Sequence, residues 1–99
     1  MIRHIVFFRF VEGHDESAVQ QWSEGIDGLL GAVPGLRALS HGPDILHLER
    51  SWDHALVADF DSRDALDGYG VHPAHLPLIA LSATFSAQIV SVDFTVAET

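Results

Sequence analysis

Cysteine and lysine are both absent from this 99-residue chain, and methionine and tyrosine each occur once. Without cysteine there is no thiol nucleophile, no thiolate-ligated zinc and no disulfide framework. Without lysine, permanent positive charge rests on Arg3, Arg9, Arg37, Arg50 and Arg63 against 14 Asp and Glu, a formal net charge of −9. A phosphate backbone or an anionic lipid surface needs a basic patch, so neither nucleic acid nor membrane is an expected partner. Other devices are missing as well. The segment "GIDGLLGAVPG" matches neither glycine-rich nucleotide fingerprint. No nucleophile elbow presents a serine, and no carboxylate pair stands out for glycoside chemistry. The opening "MIRHIVFFRFVEG" has neither a long apolar helix nor a cleavage site, which makes a cytoplasmic protein the expectation.

What the chain does have is apolar content, 47% of residues, enough for one core in a single domain spanning 1–99. In "IRHIVFFRFV" alternation puts His4, Val6, Phe8 and Phe10 on one face, and Arg3, Ile5, Phe7, Arg9 and Val11 on the other. Large apolar groups on both faces predict a strand covered on both sides. Helical spacing follows in "DESAVQQWSEGIDGLLGAV", where Val19, Trp22, Ile26, Leu29, Leu30 and Val33 share a side and Asp15 or Ser17 caps the start. Residues 36–50 read as an irregular strand interrupted at Gly42-Pro43. "SWDHALVADFDS" is a clearer strand, with Leu56, Ala58 and Phe60 on one face. "DSRDALDGYG" predicts a short helix capped by Ser62, with Asp64 in its first turn. "AHLPLIALSATF" predicts another helical run, with Pro73 at its first position. "AQIVSVDFTVA" closes the chain as a strand.

The order strand, helix, strand, strand, helix, strand defines an α+β chain of the ferredoxin-like βαββαβ type, with a four-stranded antiparallel sheet. Helices cover one sheet face. The other is too apolar to stay wet, so a homodimer through sheet faces is expected.

Four stretches, "IRHIVFFRF", "VPGLRAL", "HALVADFDSRDALDGYGVHPAH" and "SVDF", make nearly the whole chain resemble the stress-responsive α/β-barrel family. The resemblance implies a dimeric α/β barrel whose two sheets face each other, with a cavity between sheet and helices in each subunit. Some members have no established activity; others are polyketide cyclases. Plant cyclases of the family use a histidine on the first strand and a Y-x-x-H-P-x-H block, matched here by His4 and by Tyr69, His72 and His75. By that resemblance His75 is the general base and Tyr69 holds the carbonyl, with no cofactor and a small hydrophobic polyketide or phenolic ligand.

The residues themselves fit such chemistry. Pro73 at the first helical position makes His72 the N-cap and His75 the third helical residue, where the helix dipole disfavours the imidazolium. A neutral histidine is what a general base requires. His4 shares its face with Val6, Phe8 and Phe10 and is expected to reach the same apolar space. His72, Phe8, Trp22, Phe60 and Phe85 are the expected ligand contacts. If the four aromatics fill that space instead, the protein is a non-catalytic stress-response or structural dimer. A metal held by His72 and His75 would need a further ligand such as Asp59, Asp93 or His4, and no metal is expected. A monooxygenase of similar shape is a third reading. His14, His41, His47 and His54 are expected in loops and at strand ends, as solvent-facing or edge residues.

Overall fold

A computed structural model of the chain describes residues 1–97. Its elements are β1 (Ile2–Phe10), α1 (Glu16–Asp27), β2 (Leu36–Pro43), β3 (His54–Phe60), α2 (Arg63–Gly70), α3 (Leu76–Phe85) and β4 (Ser86–Thr95). The four strands form one antiparallel sheet in the order β2-β3-β1-β4. The α+β ferredoxin-like architecture is therefore the one expected, with the second helical segment split in two.

Alternation dictates which side chains meet the helices. Direct pairing of His4 with Ala58 and Asp93, and of Phe8 with His54 and Ile89, puts these residues on the helix side. Trp22, Ile26, Leu29, Phe60 and Phe85 are the largest side chains sealed in this layer. Burying each aromatic or branched side chain is worth roughly 1.5–3 kcal/mol, which holds α1 despite Gly25. The opposite sheet face carries Ile5, Phe7, Val57, Val90, Val92 and Phe94 and no helix; Val92 is 62% exposed and Phe7 44%. Its charged pair is self-contained, because Arg3 donates two hydrogen bonds to the Asp59 carboxylate at 2.8 and 3.1 Å. That pairing holds Asp59 below the usual carboxylate range.

The helix starts follow their caps. Asp15 accepts from the Ser17 N–H at 2.9 Å, and Ser62 from the Ala65 N–H at 3.2 Å. Three expectations need correction. β2 stops at Pro43 instead of running to 50, because the Asp44 N–H turns to the Asp53 carbonyl and closes a loop. Leu30 lies outside, 50% exposed, since α1 ends at Asp27 and the chain leaves the helical path. The last helix begins at Leu76, not Pro73, with His75 at its N-cap and Pro77 in the first turn.

Gly35 turns the chain against α2. Its φ is +78°, and a Cβ there would sit 2.5 Å from the Ala65 Cβ, which cannot swing away. Gly35→Ala combines left-handed strain with overpacking and is expected to cost more than about 2 kcal/mol. Gly31→Ala, at φ +91° but with open space around it, should cost only about 1 kcal/mol. Urea midpoints of the two variants check the difference.

Candidate active site

Between the sheet and the three helices lies a cavity of about 200 Å³. β1 supplies His4, Val6 and Phe8, α1 supplies Trp22 and Ile26, and α2 supplies Tyr69. His75 enters from the turn between α2 and α3, and Ile89 and Ser91 come from β4. The sequence-predicted trio of His4, Tyr69 and His75 is thus gathered on one cavity wall.

Their mutual geometry is close. The His75 ring stacks on Tyr69 with centroids 3.9 Å apart and planes at 19°, and His4 meets Tyr69 edge-on at 5.9 Å. His75 Nδ1 lies 3.0 Å from the Tyr69 backbone carbonyl. A carbonyl can only accept, so Nδ1 carries the proton and Nε2 keeps its lone pair. Burial lowers the His75 pKa, with His4 and His72 nearby pushing the same way and the carbonyl bond opposing them. The ring is therefore neutral at pH 7 with a basic nitrogen unspent. Burial also pushes Tyr69 up to about 12, so its phenol stays a proton-bearing donor. His4 donates from Nδ1 to the Asp93 carboxylate, which fixes its tautomer in the same way.

Other expected contacts fall elsewhere. Phe60 and Phe85 do not border the cavity: both are sealed beneath it, Phe60 against Tyr69 and Phe85 against Trp22 and Phe10. His72 does not border it either. Its Nδ1 accepts from the Ala74 N–H at 3.0 Å and its carbonyl from the His75 and Leu76 N–H groups, so it folds the turn that presents His75. His72 Nδ1 is engaged by the turn, and among the described residues no three His, Cys, Asp or Glu side chains converge.

Asp93, Ser82 and Ser91 are site residues that the sequence did not single out for this role. Only the β1–β4 register brings Asp93 opposite His4.

His54 also departs from expectation, being 5% exposed rather than solvent-facing. Parity along β3 places it on the inward face with Leu56, Ala58 and Phe60, against Trp22 at 5.0 Å. A hydrogen-bonded chain runs outward from it. His41 Nε2 donates to Asp27 at 2.6 Å, and His41 Nδ1 faces His54 Nε2 at 2.9 Å. Burial, reinforced by His41, lowers the His54 pKa to about 4.

A four-stranded antiparallel sheet with helices on one face and a cavity between the two layers places the chain in the ferredoxin-like α+β class. Residues 2–96 match the profile of the stress responsive A/B barrel domain, and the chain belongs to that family. An uncharacterized protein of Streptomyces coelicolor is 32% identical over 93 residues, covering 92% of this chain and 96% of its own. Olivetolic acid cyclase of Cannabis sativa is 20% identical over 96 residues, covering 95% of each chain. Among solved structures, a dimeric ferredoxin-like protein of unknown function from Thermobifida fusca superposes with a TM-score of 0.87 at 33% identity, over 96% of this chain and 90% of that one. The hydroxynitrile lyase of Passiflora edulis shares the fold with a TM-score of 0.83 at 20% identity, over 99% and 94%. The family fold therefore hosts catalytic members. Among the described residues no helix is long and apolar enough to cross a membrane.

Proposed function

We propose that this protein binds a small phenolic or β-keto compound in the cavity and acts on it as a cofactor-independent cyclase of the aldol type. The observation that carries the reading is the lock of His75 Nδ1–H on the Tyr69 carbonyl, which leaves a neutral, basic Nε2 beside a phenol that stays protonated. In the proposed step His75 Nε2 takes the acidic proton between two carbonyls. Tyr69 donates to the carbonyl oxygen as negative charge develops there. The carbanion attacks a third, remote carbonyl of the same molecule, forming the ring carbon–carbon bond, and the new alkoxide takes the proton back from the imidazolium. His4, steadied by Asp93, orients a hydroxyl. The names of two relatives, a cyclase and a lyase, support carbon–carbon chemistry at such a site.

Ring-nitrogen NMR of the seven histidines, titrated with a panel of phenolic and β-keto compounds, tests the reading. His75 and His4 should move together with one compound while His47, 82% exposed at its side chain, stays put. If no compound moves His75 or His4, the proposed activity falls and the non-catalytic dimer takes its place.

The reading extends to assembly. The helix-free sheet face carries Phe7, Val90, Val92 and Phe94, and the similar Thermobifida protein is described as dimeric. Two copies packed through this face would close a barrel. Val92→Glu puts a charge in that interface and should halve the sedimenting mass without altering the far-ultraviolet spectrum. A wild-type protein that sediments as a monomer would overturn the assembly.

A further inference from the structure

The catalytic trio occupies one end of the cavity. At the other end stands Trp22, four residues along β1 from His4 by way of its edge-to-face contact with Phe8, at 4.9 Å. Four strand residues span roughly 13 Å. Trp22 is 2% exposed. Its indole N–H makes no hydrogen bond to a described residue, yet the only sealed side-chain polar atom lacking a partner among them is Ser86 Oγ. The indole nitrogen therefore keeps some open surface, and Trp22 is among the residues that line this cavity. A buried tryptophan N–H ordinarily finds an acceptor.

Ser82 completes the picture. It borders the cavity, is 4% exposed, and donates its hydroxyl proton to the Ile79 carbonyl at 3.0 Å, so its oxygen lone pairs remain. It lies three residues before Phe85, which packs against Trp22. One donor and one acceptor at this end suit a hydroxyl, which can accept from the indole and donate to the serine. Volume limits the rest. A 150 Å³ apolar cavity takes a benzene ring, so about 200 Å³ takes one ring with a short extension.

Resting on the proposed binding role of this cavity, the geometry points to Trp22 as a specificity-determining donor, and to a ligand that carries a second oxygen, a hydroxyl, at the end remote from Tyr69 and His75. The ligand is a single-ring or short-chain compound oxygenated at both ends, not one ending in a plain alkyl tail.

Two probes differing by that oxygen, 4-(3-hydroxypropyl)phenol and 4-propylphenol, test the inference. The chain has two tryptophans, so its indole N–H spectrum has two signals, and Trp52, stacked under Arg9, is the internal control. The hydroxylated probe should shift the Trp22 signal and leave Trp52 in place. It should bind about two- to tenfold tighter than the propyl probe, the worth of one hydrogen bond. Trp22→Phe should erase that preference, and the wild-type indole readout stands even if this variant folds poorly. If both probes move His75 but the Trp22 N–H is unmoved, or the preference survives in Trp22→Phe, the inference falls while the cavity remains a binding site. If neither probe moves His75 or Trp22, both readings fall together.

Discussion

Replacing His75 by alanine is expected to slow the proposed reaction by about 10²- to 10⁴-fold, the usual contribution of a positioned general base. The loss should fall on kcat, because His75 abstracts a proton only as the transition state forms. Fold should survive. His75 gives up one bond to the Tyr69 carbonyl and a ring contact, while the turn itself is held by backbone N–H groups on the His72 carbonyl. The pH profile supplies a sharper check. Burial lowers the His75 pKa, so activity should climb with pH through a value below the ordinary imidazole 6.5 and be level by neutrality. A limb at or above 6.5, or a His75→Ala variant with undiminished turnover, would remove His75 from the base role.

Acid should weaken the fold well before the carboxylates titrate. His54 has its pKa lowered from 6.5 to about 4 in the folded chain, so between those values the unfolded state holds a proton that the folded state does not. Stability therefore rises with pH across this window, and is lost as pH falls through it. The stability lost in going from pH 6.5 to about 4 is about 3 kcal/mol. His75, lowered too, acts in the same direction; His14, raised by the Val11 carbonyl and Glu16, acts oppositely. The carboxylates of Asp15 and Asp59 add their own losses only at lower pH. His54→Gln keeps an N–H for His41 but has no proton to gain, so its urea midpoint should vary much less between pH 7 and 4. An equally steep decline in that variant would assign the acid sensitivity to other groups.

Local patterning carried the architecture. Strict alternation in β1 sorted His4, Val6 and Phe8 from Ile5 and Phe7, and Asp15 and Ser62 announced two helix starts by the chemistry of capping. The grouping of His4, Tyr69 and His75 was legible through the family resemblance, since nothing in a linear chain brings residue 4 next to residue 69. The start of the last helix was read one turn too early from Pro73. The His72 ring accepts from Ala74 and spends residues 72–75 on a turn, so the helix begins at Leu76 with Pro77 in its first turn. His54 was misread for a different reason. A histidine at a strand mouth ordinarily meets water, yet its parity with Leu56, Ala58 and Phe60 already put it on the inward face; what the local pattern does not reveal is the His41–Asp27 chain that satisfies its ring. Asp93 stayed hidden behind a register that only the assembled sheet defines.

The pairing of β1 with β4 also sets a timetable. His4 and Asp93 are 89 residues apart in sequence, yet their strands lie side by side, so this strand pairing closes nearly the whole chain into a loop. Loop-closure entropy makes such contacts late and the folding of chains rich in them slow. β3, helices and β1 can assemble a half-formed layer first, with β1 showing an unpaired edge to solvent. Ile89 and Ser91 reach the cavity only when β4 docks on that edge, and the carboxylate that steadies His4 arrives with them. Competence at this site is therefore among the last properties the nascent fold acquires, and a chain halted before β4 docks has a core but no finished pocket.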